Sequence, residues 1–396
     1  MGNPWSRWIP GVLSKGQITE LCNAGLITGE GSLEEAIDES SIDLSLSDEA
    51  YRMIKGSVKP SASDHYGWFI KNNGLAEKLE KSEDGSYVLK AKETYVFKLR
   101  EQLQKRLSDA QVHGQATAKS SVGRVDVLAR LIVNGMDTYE TFDPGCLERQ
   151  NGDMYLEITP ITFSVRVKEG ICLSQLRLYY GRPEDVEIRS DRLFRTVLQG
   201  PGANAGCLTV DLANVTIGGV RVAAFCATPP THPNDTIPLW VRTEEGRPEP
   251  WKYWKFIATD ETERLKIEQT QFYLLRSKEK ISVPEGIAIY CRASDETIGE
   301  MRIHYAGFVH PQFGWRRHDE RKGTPLIFEV RGHQVDVSLA DGEKMANLKF
   351  YRMSQDSKGE GPPSTYEGQS LKLSKFFDEW PEKLRGSTDG TVEPIH

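Results

Sequence analysis

The chain repeats itself, and that repeat constrains its fold more than any other feature. GICLSQLRLYYG begins at Gly170 and GEKMANLKFYRM at Gly342, an offset of 342 − 170 = 172. YLEI (Tyr155 to Ile158) and IFEV (Ile327 to Val330) keep that offset. SSVGR, ending at Arg124, and ETIGE, ending at Glu300, stand 176 apart, as do TYVFKL from Thr94 and TQFYLL from Thr270. SIDLSL, with Asp43, and LTVDLANV, with Asp211, differ by 168. Small steps in offset are what loop insertions and deletions produce. The sequence therefore reads as two copies of one module.

Each copy is rich in short segments with apolar residues near alternate positions, punctuated by Gly, Pro, Asn and Asp. MYLEITPITFSVRV, ICLSQLRLYY, GIAIYCR and PLIFEVRGHQVDVSL are examples. The expected class is all-β, two jelly-roll-like or barrel-like halves with a few short helices. One helix is expected after Ser14, a cap for an apolar face of Ile18, Leu21, Cys22 and Ile27. Residues 257–270 fit a helix or a solvated strand. The expected organisation is a first module over 1–197, a linker over 198–207, a second module over 208–376 and a disordered tail over 377–396. Residues 355–364 are expected to be mobile, and the charge run 315–322 to be a solvated loop.

Lys and Arg total 50 and Asp and Glu total 57, a net charge of −7. A nucleic-acid polymer binder is usually more basic. No apolar run approaches the ~20 residues of a membrane span. The opening MGNPWSRWIPGVL has no signal-peptide core, so a cytoplasmic location is expected. Its Gly2 and Ser6 fit the short myristoylation pattern, which carries little weight. The six cysteines form no CxxC pair and read as reduced thiols. In PWKYWKF, Trp251, Tyr253, Trp254 and Phe256 are expected to pack between the copies rather than stack on bases.

Four motifs now follow in order: KSSVGR (Lys119 to Arg124), FDPG (Phe142 to Gly145), MYLEI with Glu157, and the Gly170 hairpin ending in SQLRL. Together with GVLSKGQITELCNAGLI and ESSIDLSL, this order resembles the dCTP deaminases, relatives of the trimeric dUTPases. The duplication, with IHYAGFVHPQFG in the second copy, resembles their double-length bacterial form. The resemblance extends to about residue 376. It implies two tandem dUTPase-like modules, each a β-clip or distorted jelly roll.

Deaminating cytosine requires water at C4, a proton at N3 and departure of ammonia. One carboxyl group can shuttle those protons if its pKa lies near the working pH. Zinc deaminases activate the water with an H-x-E…P-C-x-x-C signature, which this sequence lacks. The resemblance implies deamination of dCTP to dUTP without a catalytic metal, magnesium arriving on the triphosphate. It assigns Glu157 as shuttle, Arg124 as its partner and Ser120 as the holder of water. Lys119 and Ser121 would bind phosphates, and Asp143 the deoxyribose unless it is only a turn residue. Arg124 and Asp143 are 143 − 124 = 19 positions apart, longer than in the single-length family.

The second copy places Glu300 where the first has Arg124, although Glu329 matches Glu157. It is expected to be catalytically degenerate, with Glu329→Gln nearly silent and Glu157→Gln inactive. It would still complete the first copy's site. YEGQ makes Tyr366 and Gln369 candidates for closing over the phosphates, and His304, Tyr305 and Ala306 candidates for the base pocket or the seam. The resemblance implies a homo-oligomer, with a trimer favoured. Two alternatives stay open: a dUTPase or bifunctional enzyme, and a nucleotide-binding regulator without turnover.

Overall fold

The structure, a computed structural model, describes residues 4–204, 206–217, 220–232, 235–240, 247–293, 301–303, 307–314, 323–355, 371–380, 384–386 and 391–394. In the first copy a continuous path of strands runs Thr141–Phe142, Val112–Ala118, Cys172–Tyr180, Ser41–Met53, Tyr95–Leu103, Gly152–Pro160, Val127–Val133. The 13-residue strand Ser41–Met53 belongs to both faces of the module. Its buried positions alternate over much of its length, as a strand with one face on a core requires.

The second copy repeats this plan in two sheets. One holds Lys344–Arg352 and Ile287–Ala293; the other holds Thr324–Gly332, Phe272–Ile281, Ala224–Ala227 and Trp254–Ile257. Ser174 faces Ala118 in the first copy and Ala346 faces Ala293 in the second. The hairpin glycines Gly170 and Gly342 have φ of 81° and 82°, in the region that glycine tolerates best.

Pairing corrects one offset. Glu157 faces Val96 and Glu329 faces Leu274, so this strand repeats at 274 − 96 = 178 rather than 176. A hydrogen bond confirms the match. The Tyr95 hydroxyl accepts from the Lys90 N–H at 2.9 Å, and the Tyr273 hydroxyl accepts from the Glu268 N–H at 3.0 Å. Because the difference is two residues, each side chain keeps its face.

The helix after Ser14 forms over Lys15–Asn23, with Gln17 returning its side chain to the Ser14 N–H at 3.0 Å. Within residues 257–270, Arg264–Ile267 is a strand paired with Val337–Ala340. The expected linker is instead part of the second module. Leu198–Gln199 pairs with Lys280–Ile281, and Pro201–Asn204 forms a 3-10 turn. Buried Glu279 holds this segment by accepting from the Gly202 N–H at 2.8 Å, the Thr209 N–H at 2.6 Å and the Thr209 hydroxyl at 2.8 Å. The tail also differs from expectation. Phe377 is buried, and the described pieces Leu384–Gly386 and Thr391–Pro394 pair as strands beside Trp254–Ile257.

One apolar cluster crosses from copy to copy. It joins first-module side chains such as Leu131, Leu156 and Phe163 to Trp254, Phe256, Phe272, Leu371, Phe376 and Phe377. Trp254 and Phe163 have ring centroids 5.5 Å apart. Tyr253, Trp254 and Phe256 of PWKYWKF thus pack this seam, while Trp251 is only half-buried. The second module adds a core of its own around Leu208, Leu275, Phe328 and Leu348. None of the six cysteines is in a disulfide. Among the described residues, no helix is long and apolar enough to cross a membrane.

Glu279→Ala would strand three buried donors, at a cost of about 3 kcal/mol or more. Denaturant unfolding of the variant should show that loss; parental stability would contradict this account of residues 198–207.

Candidate functional site

KSSVGR lies where the strand Val112–Ala118 ends against Cys172–Tyr180. The Lys119 N–H donates to the Leu173 carbonyl at 2.9 Å, and the chain turns through the short helix Ser120–Gly123. Lys119 forms an ion pair with Asp43. Ser120 is exposed, Ser121 is half-buried and Arg124 is buried.

The segment Leu371–Trp380 comes over this turn from the end of the second copy. The Ser374 hydroxyl donates to the Ser121 carbonyl at 2.7 Å, and Arg124 Nη1 lies 3.5 Å from the Lys372 carbonyl. Lys375 lies in the field of Lys119 and Asp43; burial and Lys119 both lower its pKa. Two lysines thus share one carboxylate beside Ser120 and Ser121.

The carboxyl group beside Arg124 is Glu329, not Glu157. Glu329 is 4% exposed on the strand Thr324–Gly332. Burial pushes its pKa up to about 8, with Arg124 pulling the other way. Two residues further along both segments, Arg331 forms an ion pair with fully buried Asp126. Thr162 also donates to Asp126, at 2.5 Å. Residues 329 and 331 share a face of their strand, so this tie between copies turns Glu329 toward the Arg124 turn.

Glu157 is committed elsewhere. It faces Arg130 across the neighbouring strand and forms an ion pair with it. Arg130 Nε donates at 3.1 Å, and the Ser57 and Tyr139 hydroxyls donate to the other carboxylate oxygen at 2.7 and 3.3 Å. The Arg130 guanidinium also lies over the Tyr139 ring, 4.2 Å from its centroid. The expected pairing of Arg124 with Glu157 is therefore not made, because a nearer arginine on the adjacent strand takes that carboxylate.

Asp143 is not brought to this place either. Its carboxylate caps its own turn by accepting from the Gly145 N–H at 2.9 Å; it is 56% exposed, 3.7 Å from His113. His113 is five residues before Ala118, about 17 Å along the strand from the Lys119 turn. His304, Tyr305, Ala306, Glu300, Tyr366 and Gln369 lie outside the described residues.

Further side chains cross the seam that sequence reasoning missed. Buried Arg177 donates to the Ile289 carbonyl at 2.8 Å and stacks on Phe308, 4.0 Å from its centroid. His310 Nδ1 is 3.0 Å from the Ser40 hydroxyl. Burial, with Arg177 adding to it, lowers the His310 pKa to about 4 and keeps the ring neutral at pH 7. The sequence signal was weak: Arg177 sits in SQLRLYYG, inside a strand of otherwise apolar and small polar residues. Among the described residues, no three His, Cys, Asp or Glu side chains gather as a metal-binding group.

Fold and site together define a tandem-module protein with a polar, cation-lined turn closed by its second copy. Two family models match it: the 2'-deoxycytidine 5'-triphosphate deaminase N-terminal domain over residues 9–182 and the C-terminal domain over 199–377. The chain belongs to the dCTP deaminase family. Among solved structures, 2'-deoxycytidine 5'-triphosphate deaminase from Agrobacterium tumefaciens is similar, with 25% identity and a TM-score of 0.73. That match covers 88% of this chain and 99% of the other. A comparison with curated proteins gives no match.

The raised pKa of Glu329 has a consequence for stability. The folded protein retains a proton there that an unfolded glutamate releases above its ordinary pKa of 4.5. This contribution is full below that value and is lost as pH rises toward about 8. In thermal unfolding across that window, Glu329→Gln should flatten the decline seen in the parent. An unchanged slope would contradict the assignment.

Proposed function

We propose that the protein hydrolyses dCTP to dUTP and ammonia at the turn Lys119–Arg124, with Glu329 of the second copy as proton shuttle. The observation that carries this reading is a buried carboxyl group, titrating near neutrality, beside Arg124 of the one intact KSSVGR motif. Family membership and the Agrobacterium tumefaciens neighbour support the substrate.

At pH 7 the Glu329 carboxyl enters largely protonated. It donates to N3, which makes C4 electrophilic. The Ser120 hydroxyl holds a water molecule for attack at C4. As the C4–O bond forms, Glu329 takes a proton from that water and passes it to the amino group. The C4–N bond breaks, ammonia leaves, and the remaining water proton passes from the C4 hydroxyl back to Glu329, which forms the C4 carbonyl and restores the carboxyl group. Arg124 orients the carboxylate and stabilises it while it is charged. A catalytic acid with pKa near the working pH serves both steps.

Lys119 and Ser121 bind the triphosphate, which brings magnesium with it; no metal enters the chemistry. Tyr366 and Gln369 close over the phosphates. Asp143, far along the strand, is left as a turn cap, and Glu157 as a structural carboxylate. This reading also includes a cytoplasmic enzyme acting on a free nucleotide, in a homo-oligomer.

Ammonia release from dCTP tests the assignment. Glu329→Gln should lower kcat by about 10³-fold while retaining nucleotide binding. Glu157→Gln should retain turnover but lose about 3 kcal/mol of stability, because Arg130 loses its buried partner. The reverse pattern would return the shuttle to Glu157. In the parent, kcat should fall as pH rises past about 8, the value to which burial lifts Glu329. Chromatography of the products separates a pure deaminase, giving dUTP alone, from a bifunctional enzyme that also gives dUMP.

A further inference from the structure

We infer that Arg331 and Asp126 are positioning residues for Glu329, and that their pairing allows only one catalytic centre per chain. The inference rests on the role proposed for Glu329 and extends it to residues that touch no substrate.

Three groups converge on Arg331. It forms an ion pair with Asp126, and it donates to the Thr162 hydroxyl and to the Thr270 carbonyl. Asp126 and Thr162 belong to the first copy, Thr270 and Arg331 to the second. A guanidinium holds several partners in one plane, which fixes the direction of the strand that carries it. Glu329 is on the same face of that strand, two residues away. Asp126 in turn follows Arg124 by two residues and is held at φ 57°, a left-handed conformation uncommon outside glycine. The Asp126 N–H donates to the Gly123 carbonyl at 2.9 Å, tying the ion pair to the KSSVGR turn itself. Arg331 and Asp126 thus set the distance between Arg124 and Glu329 from both sides.

The repeat shows why this happens once. The position equivalent to Arg331 is 331 − 172 = 159, Thr159. Pairing sets Arg302 opposite Arg331 as it sets Leu128 opposite Thr159, so the position equivalent to Asp126 is 126 + 174 = 300, Glu300. A reciprocal seam would therefore set a threonine against a glutamate, with no ion pair. Thr159 already shares a hydrogen bond with Thr94 in its own copy, at 3.0 Å. The reciprocal carboxylate, Glu157, is neutralised by Arg130.

The test uses the full-length chain with Arg331→Met, Arg331→Lys and the near-isosteric Asp126→Asn, read by kcat, KM, the pH profile of kcat and melting temperature. Misplacing the carboxyl group should lower kcat by about 100-fold in Arg331→Met and Asp126→Asn, with KM changed by less than about threefold. The alkaline limb of the pH profile should shift, and Arg331→Lys should recover part of the loss. Titration with dUTP should saturate at one nucleotide per chain. A fall in melting temperature with unchanged kcat and pH profile would reduce the pair to a structural tie. Two nucleotides per chain would overturn the single-centre inference. Glu329→Gln, assayed in parallel, separates the two levels. If that variant is active, the shuttle assignment fails; if it is inactive while Arg331→Met is normal, only the positioning role fails.

Discussion

The ion pair between Arg331 and Asp126 joins two copies of one module where almost no water reaches. A buried ion pair of this kind adds little net stability against apolar packing of the same volume, yet breaking one side of it is costly. Its effect is to fix one relative placement of the two copies. Everything else in the candidate site depends on that placement: Glu329 meets Arg124, Leu371–Trp380 crosses the KSSVGR turn, and the Trp254 cluster closes the seam behind them.

The two copies have diverged in complementary ways. The first keeps Lys119, Ser120, Ser121 and Arg124; the second has no arginine or serine pair at those positions but keeps Glu329. Each retained half would be idle within its own module. Glu157 shows the outcome when a carboxylate finds partners at home. Arg130, Ser57 and Tyr139 satisfy both of its oxygens. Glu329, nearly as buried, has its pKa raised to about 8 by burial against the opposing pull of Arg124. One strand position therefore serves structure in the first copy and carries a titratable proton in the second.

Much of this fold was legible in the sequence because strand alternation and repeat offsets are local signals. The Gly170 and Gly342 hairpins fall at the expected offset, and the Tyr95 strand was misplaced only by an even slip that preserves its face. The choice between Glu157 and Glu329 was not legible. Spacing along a chain does not say whether a strand faces its own copy or the other one, and Arg130 could not be recognised as the nearer partner without the register of its strand. Residues 198–207 looked like a linker because Gly, Pro and Ala carry no pattern; the buried carboxylate that orders them, Glu279, lies more than seventy residues from its first partner. Asp143 kept the motif but not the place, since Asp-Pro-Gly caps a turn equally well wherever it stands.

The central claim is that a single chain completes the site from its own two copies. It is tested most directly by co-expressing two inactive chains, one carrying Arg124→Ala and the other Glu329→Gln, and assaying the mixed oligomer for ammonia release from dCTP. In this account every Arg124 needs the Glu329 of its own chain, so the mixture stays as inactive as either variant alone. Recovery of a substantial fraction of parental activity would show that Arg124 and Glu329 meet between chains, and would contradict it.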